Sequence, residues 1–153
     1  MHALEIRIPP VAAALATAGL MWLVARAVPA LGFLFPVRDV VAMSFSLAGA
    51  VISALGVISF RRARTTLNPM KPESSSSLVA SGIYTLTRNP MYLGFLLVLL
   101  GWAIFLSNVL AFLFLPTFVL YMNRFQIEPE ERALAALFGP KFSAYKASVR
   151  KWL

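Results

Sequence analysis

The sequence predicts an all-α integral membrane protein in which four transmembrane helices carry a cytosolic cap, formed by the middle loop and the C-terminal helices. Two observations predict this class. Hydrophobic residues make up 59% of the chain and charged residues only 13%, whereas a soluble domain has about 25% charged residues. A chain of 153 residues also has too much surface per unit volume to bury that many apolar side chains. Most of them must therefore face lipid, and residues 1–153 are expected to form one membrane domain.

The first two spans are predicted at residues 8–28 and 40–60. Each apolar run has about 20 residues, the length that crosses a hydrocarbon core of about 30 Å. Pro9 and Pro10 stand at the N-terminal edge of the first run, where a helix tolerates missing N–H groups. The second run contains several small residues, and such residues favour close helix packing in lipid.

The third and fourth spans are predicted at residues 90–106 and 108–123. Each is shorter and covers about 24 Å as a helix. Ser107 and Asn108 separate them. We therefore expect a tight helical hairpin that crosses a locally thinned bilayer.

The C-terminal tail, residues 124–153, is predicted to contain two helices. Pro129, followed by Glu130 and Glu131, predicts the start of the first helix, because proline and acidic residues favour a helix N-terminus. Gly139 and the proline after it predict its end. The apolar side of the tail should lie against the membrane or against the rest of the protein.

The distribution of basic residues predicts the orientation. They are concentrated in the loop at 61–89 and in the tail, whereas the opposite side carries only Arg26 and Arg38. By the positive-inside rule the loop, the tail and both termini are cytoplasmic, and we expect the membrane to be a bacterial inner membrane. The formal net charge of +8 then reflects this orientation and anionic lipid headgroups, so no nucleic-acid partner is predicted.

The residue inventory argues against several kinds of catalysis. The sequence contains no cysteine, and its single histidine is His2. We therefore predict no metal site, no thiol nucleophile and no histidine-based dyad. Glycine-rich dinucleotide loops, P-loops and hydrolase elbows are also absent from the sequence,.

The polar segments 84–92 and 124–131 flank the two ends of the predicted hairpin, so we expect them to be neighbours. A pocket there would be half cytoplasmic and half within the bilayer, which suits a water-soluble reactant that meets a lipid-soluble one. Taken singly, each feature has a purely structural interpretation as a helix cap, a dipole partner, a linker or an interfacial anchor.

Two blocks of residues form a joint pattern. In the first block, residues 78–84 read Leu-Val-Ala-Ser-Gly-Ile-Tyr, and residues 88–92 read Arg-Asn-Pro-Met-Tyr. The second block, in the tail, contains Glu130, Glu131, Leu134, Phe138, Gly139, Tyr145 and Val149. Taken together, the two blocks resemble the signature of the isoprenylcysteine carboxyl methyltransferase family. The resemblance covers residues 65–153, and the related phospholipid N-methyltransferases share the same cofactor-binding half.

The resemblance implies S-adenosyl-L-methionine as the cofactor. A carboxylate can bind its ammonium or ribose hydroxyls, and aromatic rings can contact the sulfonium or the adenine. The implied acceptor contacts are Arg124, Gln126 and Glu131, and the implied catalytic residues are Arg88 and Arg124. The implied cofactor-binding residues are Ser76, Ser77, Leu78, Val79, Tyr84, Asn89, Pro90, Met91, Tyr92 and Glu130.

Two positions differ from the family pattern. Asn89 stands where the family usually has histidine, and Gln126 stands where the eukaryotic enzymes place the arginine for the substrate carboxylate. Glutamine offers only neutral hydrogen bonds, and a carboxylate that leaves water needs a cationic partner. We therefore expect poor activity on prenylcysteine analogues.

The sequence thus predicts a membrane methyltransferase that transfers a methyl group to an oxygen, nitrogen or sulfur of a small amphipathic or lipid acceptor. Such a displacement depends mainly on positioning and on exclusion of water, which agrees with the few titratable side chains. Two alternatives stay open, a phospholipid N-methyltransferase and a non-catalytic membrane scaffold.

Overall fold

The computed structural model describes residues 5–65, 71 and 75–153. Part of the predicted cytosolic loop, at 66–70 and 72–74, and residues 1–4 with His2 lie outside the described residues. The described part is helical and contains no strand, with one isolated bridge between Gly32 and Asn108. The predicted all-α class is confirmed over these residues.

Seven α-helices follow one another along the described chain. Two 3₁₀ turns, Pro29–Leu31 and Gly82–Thr85, and one π-helical turn, Asn123–Ile127, join some of them. The helices are α1 (Pro10–Ala27), α2 (Arg38–Arg62), α3 (Pro90–Leu106), α4 (Val109–Phe112), α5 (Phe114–Met122), α6 (Glu128–Phe138) and α7 (Pro140–Ser148).

Among the residues that the structure describes, three helical stretches are long and apolar enough to cross a membrane. They are α1, α2 and the stretch Val109–Phe138, which joins α4, α5 and α6. Helix α3 is apolar as well but has only 17 residues. Large side chains on the outer faces of α1 and α2, such as Leu15 and Met43, are about 70% exposed (69% and 70%). In water this exposure would be unfavourable, and it is what contact with lipid requires.

Helices α2 and α3 pack with almost no side chain between them. A Cβ atom built on Gly94 would lie 2.5 Å from the Gly49 carbonyl oxygen, and one built on Gly101 would lie 2.6 Å from the Ala42 carbonyl oxygen. The Ser53 hydroxyl donates across this contact to the Met91 carbonyl oxygen at 3.3 Å. The small residues of the second run therefore mediate close packing, as predicted, and their partner is α3.

The core lies between α1, α3 and α5. Met21, Ala103 and Met122 are completely buried there, and Phe118 and Leu99 nearly so. Apolar contacts among these three helices hold α5 next to α3, which brings the start of α3 close to the end of α5.

The predicted turn between the third and fourth runs is present. Ser107 adopts the left-handed conformation that ends α3, with φ of 48°. The Asn108 side chain accepts from Leu110 N at 3.0 Å and donates to the Val28 carbonyl oxygen at 2.9 Å. It therefore caps the next helix and ties the hairpin to the end of α1.

The tail does not begin as a separate helix. Pro129 does stand in the first turn of α6, but α5 runs into α6 through the π-helical turn, so the chain does not leave the helix at Arg124. In the π-helical turn Glu128 N donates to the Asn123 carbonyl oxygen, five residues back. A proline therefore need not break a helix when the preceding turn is widened by one residue. Helix α6 ends at Gly139, as predicted, with φ of 52°.

Candidate active site

The start of α3 meets the start of α6 through one carboxylate. Glu130 Oε1 accepts a hydrogen bond from the Tyr92 hydroxyl at 2.5 Å and another from Gln126 Nε2 at 2.6 Å. Tyr92 is 4% exposed and Gln126 is 2% exposed. Hydrogen bonds in a low-dielectric setting are stronger than in water. The three side chains therefore form a preorganised cluster in which Glu130 Oε2 takes part in neither bond.

The π-helical turn sets the direction of Gln126. It lies within the turn and bonds to Glu130 four residues on, in α6. Arg124, two positions earlier, is 42% exposed and pairs with other carboxylates. Since residues two positions apart lie on roughly opposite sides of a helix, the two side chains point to different sides.

Arg88 anchors the C-terminal part of the chain. Its guanidinium donates to Glu131 Oε1 at 2.9 Å and to the carbonyl oxygens of Lys146 and Val149 at 2.8 and 2.5 Å. The Lys146 ammonium also lies 2.6 Å from Glu131 Oε2. Arg88 Nε is buried and has no hydrogen-bond partner among the described residues. Arg88 thus joins the loop before α3 to both α6 and α7.

The segment after α7 runs along the residues that precede α3. Asn89 Nδ2 donates to the Lys151 carbonyl oxygen at 2.9 Å, and the Thr87 hydroxyl reaches the same oxygen at 3.3 Å. Trp152 Nε1 donates to Asn123 Oδ1 at 3.0 Å. Sequence reasoning missed Thr87, Lys151 and Trp152. Backbone carbonyl acceptors leave no signal in a sequence, so only the fold reveals this contact.

Tyr84 is buried beside the site. Its ring packs edge-on against Phe60 with centroids 5.4 Å apart, and its carbonyl oxygen accepts from the Tyr145 hydroxyl at 2.7 Å. Burial raises the pKa of Tyr84 far above its usual range, and nearby Tyr145 and Glu130 raise it further. Burial also raises the pKa of Tyr145 to about 12, against a small lowering by Arg88. Both phenols are therefore neutral and can only donate or accept hydrogen bonds.

The predicted cofactor loop is held on the end of α2. Ser76 N donates to Thr65 Oγ1 at 3.0 Å, and the Ser77 hydroxyl donates to the Ala63 carbonyl oxygen at 3.2 Å. Val79 is buried and Leu78 is half-buried. The backbone from residue 78 to residue 80 is irregular, so its polar groups are not used within a helix.

Three further predicted cofactor-binding residues lie at the start of α3. Asn89 and Pro90 are buried at the start of α3. Met91 packs against α2, because a Cβ atom on Gly56 would lie 2.8 Å from Met91 Cγ. The structure thus brings together the motif at 88–92 and the glutamates of α6.

Arg124 belongs to a different cluster. It lies 3.2 Å from Glu5 and 3.6 Å from Glu128, and Arg132 lies 2.7 Å from the second oxygen of Glu5. Next to this cluster, a cleft of about 250 Å³ is lined by Glu128, Glu131, Arg132, Ala135 and Lys146. Glu131 therefore separates the Arg88 cluster from the cleft.

The residues present suit S-adenosylmethionine. Glu130 offers a carboxylate oxygen outside the internal hydrogen bonds, Tyr84 and Tyr92 offer aromatic rings, and Arg88 Nε is a buried donor without a partner in the described part of the chain. A carboxylate, aromatic rings and irregular backbone match an ammonium, a sulfonium and ribose hydroxyls.

Comparison with known proteins assigns the family. The model of the phospholipid methyltransferase family matches residues 37–141, which include α2 to α6 and the motif at 88–92. The chain belongs to the phospholipid methyltransferase family. The expected family resemblance is confirmed at the level of the family.

Individual relatives agree with this assignment. A protein-S-isoprenylcysteine O-methyltransferase of Schizosaccharomyces pombe is 25% identical over 119 residues, which cover 78% of this chain and 50% of the relative. The protein of the same name from Saccharomyces cerevisiae is 32% identical over 134 residues, with 76% and 54% covered. An uncharacterized protein of Haemophilus influenzae is 48% identical over 63 residues, with 41% and 100% covered. The chain spans about half the length of these isoprenylcysteine methyltransferases. No solved structure matches it.

Proposed function

We propose that this protein is an S-adenosylmethionine-dependent membrane methyltransferase that acts on a small amphipathic or lipid acceptor. The observation that carries the proposal is the Glu130 carboxylate, which Tyr92 and Gln126 hold where the motif at 88–92 meets α6. S-adenosylmethionine would supply an electrophilic methyl group on a positively charged sulfur, which leaves as a neutral thioether. The protein would contribute position, charge and exclusion of water.

The cofactor would lie between the loop at 76–79 and the start of α6. Glu130 would bind its ammonium or its ribose hydroxyls, and Tyr84 and Tyr92 would contact it through their rings. Backbone groups around 78–80 and at Asn89–Tyr92 would complete the site. The fixed hydrogen bonds of Glu130 support this role, because a preorganised carboxylate loses little freedom on binding.

The acceptor would approach from the side of Arg124. This arginine is half-exposed, so of the two predicted catalytic arginines it is the one that can reach an acceptor. Arg88 would act as a positioning residue, because its guanidinium bonds go to Glu131 and to backbone carbonyls. Glu131 and Gln126 would shape the boundary between the acceptor and the cofactor.

A phospholipid N-methyltransferase is the second candidate. The family match favours it. So does the pairing of cations around α6 with carboxylates, since an acceptor with a neutral amine nucleophile needs no additional cation; the paired cations are Arg88, Arg124, Arg132 and Lys146. Membrane lipid extracts incubated with the protein and methyl-labelled S-adenosylmethionine separate the two acceptor classes by the mobility of the labelled product.

We also propose that the chain crosses the membrane four times, with both termini, the loop at 61–89 and the tail in the cytoplasm of a bacterium. The positive-inside rule supports this orientation. Helix α3 would need the thinned bilayer predicted for a short span. Reporter fusions at residues 34 and 107 should then report the outside, and a fusion at residue 75 should report the cytoplasm. A fusion at 75 that reports the outside contradicts the four-span arrangement.

The cofactor proposal is tested with Glu130→Gln. This change keeps the shape of the side chain, removes its charge and should weaken binding of S-adenosylmethionine by roughly tenfold or more, since a hydrogen bond to a charged group contributes about 1.5–3 kcal/mol. Glu128→Gln is the matched control, because it removes a charge from the same helical turn. Binding is measured by calorimetry in detergent. Equal affinities of both variants and the wild type would indicate that Glu130 only interacts with the helix dipole. A wild type that does not bind S-adenosylmethionine at all would favour the non-catalytic membrane scaffold.

A further inference from the structure

The N-terminal segment places a buried carboxylate against the acceptor side of α6. Glu5 has a 5% exposed side chain, although it lies before the first helix. One of its oxygens lies 3.2 Å from Arg124, and the other lies 2.7 Å from Arg132. Sequence reasoning gave Glu5 no role.

A backbone hydrogen bond fixes the position of Glu5. Ile6 N donates to the Phe125 carbonyl oxygen at 3.0 Å. In an α-helix that carbonyl would accept from the residue four positions later, which is Pro129 and has no N–H. Because of the proline, the Phe125 carbonyl oxygen has no donor four residues later in the helix. The N-terminal segment binds to this oxygen and places the Glu5 carboxylate between the two arginines.

The docked carboxylate changes the charge that an acceptor meets. Glu5 and Glu128 together balance Arg124 and Arg132, and both Glu128 and Arg132 line the cleft of about 250 Å³. Counted over these four described residues, the group would carry one net positive charge without Glu5. An acceptor with a carboxylate would have to displace Glu5 from the two arginines, or else give up its hydration without gaining a cationic partner there. Both cost free energy.

We propose that Glu5 is a specificity-determining residue that occupies the Arg124 and Arg132 pair and thereby excludes acceptors that carry a carboxylate. The site then admits amphiphiles whose head is neutral or zwitterionic at the reacting end. This inference rests on the proposed function, because it assumes that the acceptor approaches from the side of Arg124. In this proposal the carboxylate of Glu5 excludes anionic acceptors, and this effect adds to the absence of a cation at Gln126.

The experiment compares two probes in neutral detergent micelles, N-acetyl-S-farnesylcysteine and its methyl ester, which differ by one negative charge and one methyl group. Binding of each probe is measured for the wild type, Glu5→Gln and Glu5→Asp. Glu5→Gln should bind the free acid about tenfold more tightly, with the affinity for the ester unchanged, as expected for one charge interaction near a surface. Glu5→Asp should behave like the wild type because it keeps the charge. The gain should shrink at high salt.

Two further variants keep the test decisive. Glu128→Gln removes the other carboxylate beside Arg124 and leaves the N-terminal segment intact, so it should raise the acid-to-ester affinity ratio in the same direction and by less. Asp39→Asn, which removes an exposed carboxylate paired with Arg38 in the first turn of α2, should leave the ratio unchanged. An unchanged ratio in both Glu5→Gln and Glu128→Gln overturns the proposal, as does an equal gain in Glu5→Asp.

The same samples separate this inference from the proposed function. S-adenosylmethionine binding is measured in parallel, and the probe ratio requires no turnover. Loss of cofactor binding by the wild type contradicts the proposed function. A wild type that binds the cofactor while Glu5→Gln and Glu128→Gln leave the ratio unchanged contradicts only the role of Glu5.

Discussion

Tyr92→Phe tests whether the site is built around Glu130. The change removes only the hydroxyl, and the buried ring keeps its packing in α3. The lost bond is the 2.5 Å contact to Glu130 Oε1, which leaves Gln126 as the remaining donor to that oxygen among the described residues. A hydrogen bond to a charged acceptor contributes about 1.5–3 kcal/mol. If the full effect appears in cofactor affinity, binding weakens by roughly 10- to 100-fold.

A double-mutant cycle shows where this effect acts. If Tyr92 acts by positioning Glu130, then Tyr92→Phe should cost little once Glu130→Gln is present, and the double variant should bind S-adenosylmethionine about as weakly as Glu130→Gln alone. The four proteins are compared by calorimetry in the same detergent. Tyr121→Phe is the matched control, because its ring packs on Phe125 outside this cluster. Strictly additive losses would refute the reasoning and would indicate that the Tyr92 hydroxyl contacts the cofactor itself.

Three other perturbations probe the surrounding structure. Arg88→Met should lower the free energy of unfolding in detergent by about 3–5 kcal/mol, because it leaves the partly buried Glu131 carboxylate with one cation fewer,. Limited proteolysis should then cleave the C-terminal segment sooner than in the wild type. Unchanged proteolysis would contradict the anchoring role of Arg88. Gly94→Ala should cost about 1–3 kcal/mol because its Cβ atom meets the Gly49 carbonyl oxygen,, whereas Gly19→Ala, with open space around it, should be neutral or stabilising. Folding raises the pKa of Tyr145 to about 12 from a usual value of 10.0. The stability that this phenol contributes is therefore complete below pH 10 and is lost as pH rises towards 12. Tyr145→Phe should reduce the fall in melting temperature over this pH range, and an identical pH profile for the variant and the wild type would contradict this prediction.

Local features of the chain were readable from the sequence. Helix positions follow from runs of apolar residues, so α1, α2 and α3 lie close to the predicted ranges. The turn at Ser107 and the end of α6 at Gly139 also follow from local residue preferences. The motif at 88–92 was readable because its residues are contiguous, and a contiguous pattern can be compared with a family directly.

The extent of the helix around Pro129 was not readable. Proline predicts the beginning of a helix because it lacks an N–H and fits the first turn. The structure instead continues α5 into α6 through a π-helical turn. Whether a proline starts a helix or is accommodated within one depends on whether the carbonyl it leaves open finds another donor. Here that donor is Ile6, which is 119 residues away from Phe125 in the sequence.

The sequence by itself therefore determined that this protein is a helical membrane protein of a methyltransferase family, because hydrophobicity, helix ends and contiguous motifs are local properties. Only the tertiary structure decided which charges meet. Glu5 pairs with arginines that lie 119 and 127 residues later, and Arg88 bonds to backbone carbonyls about 60 residues later, with separations of 58 and 61. Such contacts depend on how the helices pack, and backbone carbonyls carry no residue identity, so no pattern in the chain could predict them.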